Sequence, residues 1–267
     1  MDFVSSDGRG KSLISRRVSE RGLKQVGDWW SDRADGKSLR LRSGVLAPGW
    51  ILPRMHQGVS RNAPMKDLIR RQGLALRLYL VAAYEIQIGN RRQIKWTAGP
   101  LAERHYWRDE NVSGKLLKVP SWATLALGHE PPPVSGKREA RAWQASRYKA
   151  VVSGFARLAE LELFDDQGRV LQLEDRPWRR NPDASRAYHS IERHESAFEV
   201  PSVFFTDGDY LRLSGLETYV LLMALQHQSS KPIKVPERDA LTSAGWDTGE
   251  TGLVEKNLWE KYFGGER

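Results

Sequence analysis

Between residues 137 and 175 the spacing of apolar positions changes once, and the change divides the stretch into a helix and a ribbon. Tyr148, Val151, Val152, Phe155, Leu158 and Ala159 recur at three- and four-residue intervals, which gathers them on one face of an α-helix over 137–161. The opposite face carries Ser146, Lys149, Ser153 and Arg157. Leu163, Phe164, Val170, Leu171 and Leu173 then flank the polar reversal Asp165-Asp166-Gln167-Gly168-Arg169, which predicts a β-hairpin over 163–173.

Upstream, Leu68, Leu74, Leu78, Val81, Ala82 and Ile86 predict a helix over 65–88, opened after Pro64 and stopped at Gly89-Asn90. Ile94 and Trp96 alternate with polar neighbours as in a short strand, and residues 97–119 read as a long polar loop. Ser121 caps a short helix through Leu127 that ends at Gly128, and Pro131-Pro132-Pro133 makes a stiff connector. Downstream, residues 176–197 are a basic, proline-broken linker in which Arg176, Arg179 and Arg180 surround Trp178. An extended apolar stretch at 200–205 leads to Ser214-Gly215-Leu216-Glu217, a capping box that opens a strongly apolar helix over 216–228. Further helices are expected over 236–244 and 250–263, the latter with Val254 and Leu258 four apart.

The helix-to-hairpin junction resembles the third helix and wing of winged helix-turn-helix DNA-binding proteins. These often show an apolar residue, apolar positions four, seven and ten later, and an apolar pair opening the wing. Here Val151, Phe155, Leu158, Leu161 and Leu163-Phe164 fill those places, and Glu162 departs from the Gly that often ends the helix. The match is confined to 137–175. It implies that the N-terminal half of the helix enters the major groove while the wing lies over backbone or minor groove. Carried onto this chain, the candidate DNA contacts on the helix are Lys137, Arg138, Arg141, Ser146, Arg147, Lys149, Ser153 and Arg157. Gln167 and Arg169 are the wing candidates, and Arg176, Arg179 and Arg180 those of the linker. Ser146, Arg147 and Lys149 are the expected base readers and Arg169 a phosphate contact. Arg147 stands about 80° from Phe155 around the helix, at the margin of the apolar face, where it can also brace the fold.

Charge sharpens this picture. The net charge is +9 and the pI about 9.8, which favours a polyanionic partner. Residues 214–267 hold six Lys/Arg against eight Asp/Glu, a net of −2, so the rest of the chain carries +11. Glu250, Glu255 and Glu260 stand against Lys256 and Lys261, a poor face for DNA. This second unit is therefore expected to serve packing, a protein partner or self-association. The chain ends at Arg267, where a second wing would start, so that wing is expected to be missing or truncated. Residues 1–62 are Ser-, Gly- and Arg-rich without a sustained period and read as a basic, loosely ordered extension, with Trp29-Trp30 and 45–52 as anchors. Its two Gly-Lys-Ser triplets fail as phosphate loops, because Ser5 and Ser31 stand where the first Gly is required.

Candidate chemistry is sparse. The absence of Cys excludes disulfides, thiolate metal sites and cysteine nucleophiles, and fits a cytoplasmic protein. The N-terminus lacks an apolar signal core, and the run at 78–84 falls far short of the roughly 20 residues that span a bilayer, so no membrane is expected. His189 and His194 are five apart, not four as in a zinc-protease helix, and neither a nucleophile elbow nor a dinucleotide fingerprint occurs. No enzymatic activity, cofactor or metal is expected.

The expected fold is mainly α with small β-hairpin wings, in two winged helix-turn-helix units. An extension (1–62), a first unit (63–175), a linker (176–197) and a second unit (198–267) make up the chain. The expected function is sequence-specific binding of double-stranded DNA through 137–161 and 163–173. It resembles plasmid replication initiators of the non-nicking type and transcriptional regulators of mobile elements. The rival is a winged-helix module that holds a protein partner without specific DNA binding.

Overall fold

A computed structural model describes residues 18–42, 68, 73–89, 104–107, 116–128, 136–160, 197–230 and 261–262. In chain order the elements are α1 (Glu20–Ala34), β1 (Leu39–Arg42), α2 (Leu74–Gly89), β2 (Arg104–Trp107), β3 (Leu116–Val119), α3 (Trp122–Leu127) and α4 (Lys137–Glu160). They continue with β4 (Ala197–Val200), α5 (Val203–Thr206), α6 (Asp209–Arg212) and α7 (Gly215–Ser230). The described chain is mainly helical, with two small antiparallel ribbons.

Helix α2 is the one the others surround. Its residues 74–86 are all buried, and it packs against α1, α3, α4, α7 and β1. A helix apolar on every side is a core helix, whereas a surface helix keeps a polar face. The two charged residues inside α2 follow from that position. Glu85 lies 3.8 Å from the Arg33 guanidinium of α1. Arg77 donates from Nη2 to the Leu213 carbonyl at 2.7 Å. Of the helix expected over 65–88, Leu68 is helical and buried, Gly73 takes a left-handed φ of 72° and α2 runs on from Leu74, while the rest of 65–72 lies outside the described residues. Gly73 also lies against the backbone of Gly215, so the starts of α2 and α7 meet at two residues without side chains.

Residues 18–42 are not the loose extension expected of 1–62. Ser19 caps α1 by accepting from Gly22 N at 3.1 Å, and Leu23, Val26, Trp30 and Ala34 recur on one buried face. Trp30 is fully buried, donating from Nε1 to Tyr210 Oη at 3.2 Å with its ring 5.1 Å from Tyr84. Tyr84 stacks on Phe205 at 3.9 Å. Burying each such side chain contributes roughly 1.5–3 kcal/mol, which ties the segment down. Strand β1 pairs antiparallel with β4, in the register Leu39↔Val200 to Arg42↔Ala197. Its outer edge is covered by Gln87 of α2, which accepts from Arg40 N at 2.8 Å and donates to Arg40 O at 2.6 Å. The pairing carries the core past residue 197, so the boundary expected there does not separate two cores. Phe198, Val200, Phe204, Tyr210 and Leu222 belong to one buried cluster with α1–α4.

Two local readings also change. Part of the expected loop 97–119 forms a ribbon, β2 paired with β3 from Arg104↔Val119 to Trp107↔Leu116. Within the extended stretch expected at 200–205, Val203–Thr206 is helical, its turns closed by Phe205 N and Thr206 N donating to Ser202 O. The capping box is observed as expected: Ser214 N donates to Glu217 Oε2 at 2.7 Å, and Glu217 N to Ser214 Oγ at 3.2 Å. Lys261 and Tyr262 dock on the fully buried Asp209, at 2.6 Å from Nζ and 2.8 Å from the phenol. The strand expected at 94–96, the wing at 163–173 and the helix at 236–244 lie outside the described residues. So does the helix at 250–263, apart from the helical pair 261–262.

Candidate nucleic-acid interface

Helices α2, α3 and α4 pack on one another pairwise, and α4 is the only one of the three with a long exposed surface among the described residues. The 24 residues of α4 divide at Arg147. From there on, Arg147, Val151, Gly154, Phe155 and Leu158 are buried. Phe155 is fully buried and meets Trp122 of α3 edge-on at 5.5 Å. Gly154 lets α4 approach α2, since a Cβ there would come within 2.5 Å of Leu78 Cδ1. Before Arg147 no residue of the helix is buried, and only Ala140 and Trp143 are half-buried. The first turns of α4 therefore project beyond the core that anchors its second half.

That projecting part is cationic. Lys137, Arg138 and Arg141 are exposed there, against one exposed acid, Glu139, and Lys149 is exposed just beyond Arg147. At about 100° per residue, Arg138, Ala142, Ala145 and Lys149 fall opposite the buried face. Ser146 and Ser153 lie exposed at one margin of that arc. Arg157 is half-buried and pairs with Glu160 at 2.9 Å, so part of its charge is already answered within the helix. Gln167, Arg169, Arg176, Arg179 and Arg180 lie outside the described residues.

Arg147 is a correction. It was expected to read bases, but it is 7% exposed and donates from Nη2 to the carbonyls of Ala123 at 3.1 Å and Gly128 at 2.6 Å. Its guanidinium also lies over the Trp143 ring, 4.7 Å from the centroid. The cause is α3. A six-residue helix leaves most of its carbonyls without an intrahelical partner, and its C-terminus favours positive charge. Three elements supply donors to those carbonyls. Besides Arg147 from α4, Arg77 of α2 reaches Ala126 O at 3.5 Å and Tyr210 Oη donates to Leu125 O at 2.6 Å. Ser121 completes the other end by accepting from Thr124 N at 3.1 Å. Burial pushes the Arg77 guanidinium down to about 10, still charged at neutral pH, and pushes the Tyr210 phenol up, so both remain donors. Four carbonyls held from three directions fix α3 against α4, and with it the direction in which α4 projects.

Tyr148 and Ala159 are a second correction, since both were expected on the buried face and both are exposed. Tyr148 lies at the middle of the helix and Ala159 beside its last residue, and both fall within about 40° of Phe155 on the side away from Arg147 and Gly154, just past the edge of the buried arc. Arg77 and Tyr210 were not singled out from the sequence. A lone Arg in an otherwise apolar helix was the available signal for the first; nothing local marked the second.

No protein-family model, no curated protein and no solved structure matches this chain. No helix among the described residues is long and apolar enough to cross a membrane, and no group of three His, Asp or Glu there could hold a metal ion.

Proposed function

We propose that the protein binds double-stranded DNA, with the N-terminal half of α4 lying in the major groove. The reading takes α2, α3 and α4 as the three helices of a winged helix-turn-helix unit, α3 and α4 forming the helix-turn-helix. It rests on one observation: the exposed part of α4 carries Lys137, Arg138, Arg141 and Lys149 on a helix whose other half is locked into the core. Cations on a rigid projecting helix neutralise phosphates while the helix, about 10–12 Å across, enters a groove about 12 Å wide. Ala142, Ala145 and Ser146 keep the exposed face shallow enough for close approach. One feature departs from the family pattern, since the connection over 128–136 is longer than the usual turn of about three to four residues. Sequence preference, and a role as replication initiator or transcriptional regulator, follow from the resemblance rather than from geometry.

The test is binding of the full chain to random duplex DNA across a salt series. Four phosphate contacts from α4 give a slope of log affinity against log salt of about −3.6, at about −0.9 per contact. A shallow slope with weak binding at all salts favours the rival, in which the helix holds a protein partner.

A further inference from the structure

Tyr148 is the exposed large hydrophobic residue among the described positions, at 44% exposure, on a helix otherwise faced with cations and small side chains. It does not stand alone. Lys137, Arg141, Gln144 and Tyr148 are all exposed and fall within about 60° of one another around α4. They form a row along one flank of α4, from its first turn to just past Arg147, roughly 100° from the line of Arg138, Ala142, Ala145 and Lys149 that faces directly away from the core. Resting on the duplex-binding reading above, we propose that this flanking row grips the sugar–phosphate backbone of one DNA strand, with the Tyr148 phenol as an uncharged phosphate donor beside the cations Lys137 and Arg141.

The geometry favours a backbone contact over base reading. When the short Ala142 and Ala145 face the groove floor, with the longer Arg138 and Lys149 at the two ends of their line reaching past it to phosphates, side chains about 100° from that line meet the wall, where the phosphates are. Arg141 and Tyr148 are seven residues apart, about 10.5 Å along the axis, so the row is long enough to reach more than one phosphate of the same strand. The row presents donors throughout: ammonium, guanidinium, amide and phenol. Tyr148 holds its ring with two side-chain torsions only, so it positions a hydroxyl at lower entropic cost than a Lys would. Contacts of this kind set register and orientation without carrying sequence information.

An uncharged donor has a signature that separates it from its cationic neighbours. Losing a cation reduces counterion release, and losing a phenol does not. With the full chain, Tyr148→Phe is expected to weaken binding roughly tenfold on random and preferred duplexes alike, with the salt slope unchanged. Arg141→Ala is expected to weaken both and to lower the slope by about one unit. A scan of single methylphosphonate substitutions should find one phosphate whose loss and that of the hydroxyl do not add. Because Tyr148 is exposed, the Phe variant is expected to melt like the parent. Unaltered affinity of Tyr148→Phe, a changed slope, or additive losses at every phosphate overturn the assignment while duplex binding stands. Failure of the parent chain to bind duplex DNA at low salt overturns the duplex-binding reading, and the assignment with it.

Discussion

The two halves of α4 share one helix and one periodicity, yet they stand in different surroundings. Over 147–160 the apolar and small positions Val151, Gly154, Phe155 and Leu158 lie against α2 and α3. Over 137–146 the same angular positions are exposed or half-buried, because no described element lies opposite them. Period alone therefore states which residues share a face, and the length of the neighbouring helices decides how much of that face is core. The division also sorts cations. Arg147, at the boundary, belongs to the core through the carbonyls of Ala123 and Gly128, whereas Lys149, two residues on, is exposed.

The comparison predicts a gradient of effects, steepest in the core half. Phe155→Ala removes a fully buried ring packed on Trp122 and should cost about 3–5 kcal/mol of stability. Chemical denaturation measures this directly, and an unchanged midpoint would show that the second half of α4 is not anchored as described. At the boundary, Arg147→Ala leaves two buried carbonyls without their charged donor and should cost about 2–3 kcal/mol. Arg147→Lys should recover only part of this, because one ammonium lacks the planar geometry that sits over Trp143. Read on DNA below its melting temperature, Arg147→Ala should leave the salt slope unchanged. A slope lowered by one unit would place Arg147 at the phosphates and not in the core.

How much of this was readable beforehand depended on the range of the interactions involved. Elements whose cause is local were legible: the capping box at Ser214 and Glu217, the Ser121 cap, the long helix ending at Glu160 and the burial of Phe155. Where the cause is a distant partner, the sequence was a poor guide. Strand β1 is four residues long and finds its partner some 160 residues away at β4, so no hairpin turn marks it. Trp30 was noted only as an anchor, while its place beside Tyr84, Phe205 and Tyr210 unites segments from three parts of the chain. For the candidate site, the exposed cations Lys137, Arg138, Arg141 and Lys149 were legible from helical spacing. The position of Arg147 was not, because the carbonyls that draw it inward belong to α3, and a helical wheel of α4 places it only at the margin.

The smallest expected effect on stability lies two residues beyond Arg147. Lys149 is exposed at the middle of the arc opposite the core, so its side chain has little to lose on truncation. Lys149→Ala should keep the melting temperature within about 2 °C of the parent. If α4 binds duplex DNA as proposed, the same substitution removes one phosphate-neutralising cation, and the salt slope should fall by about one unit. The loss in affinity should accordingly be largest at low salt and shrink as salt rises. Arg147→Ala should give the reverse pattern, a large drop in melting temperature with the slope preserved. Because the two residues are neighbours of the same charge on one helix, a general loss of positive charge cannot produce both patterns. If Lys149→Ala melts early, or leaves the slope untouched, the proposed division of α4 into a core side and a DNA-facing side fails at the residue chosen to define it.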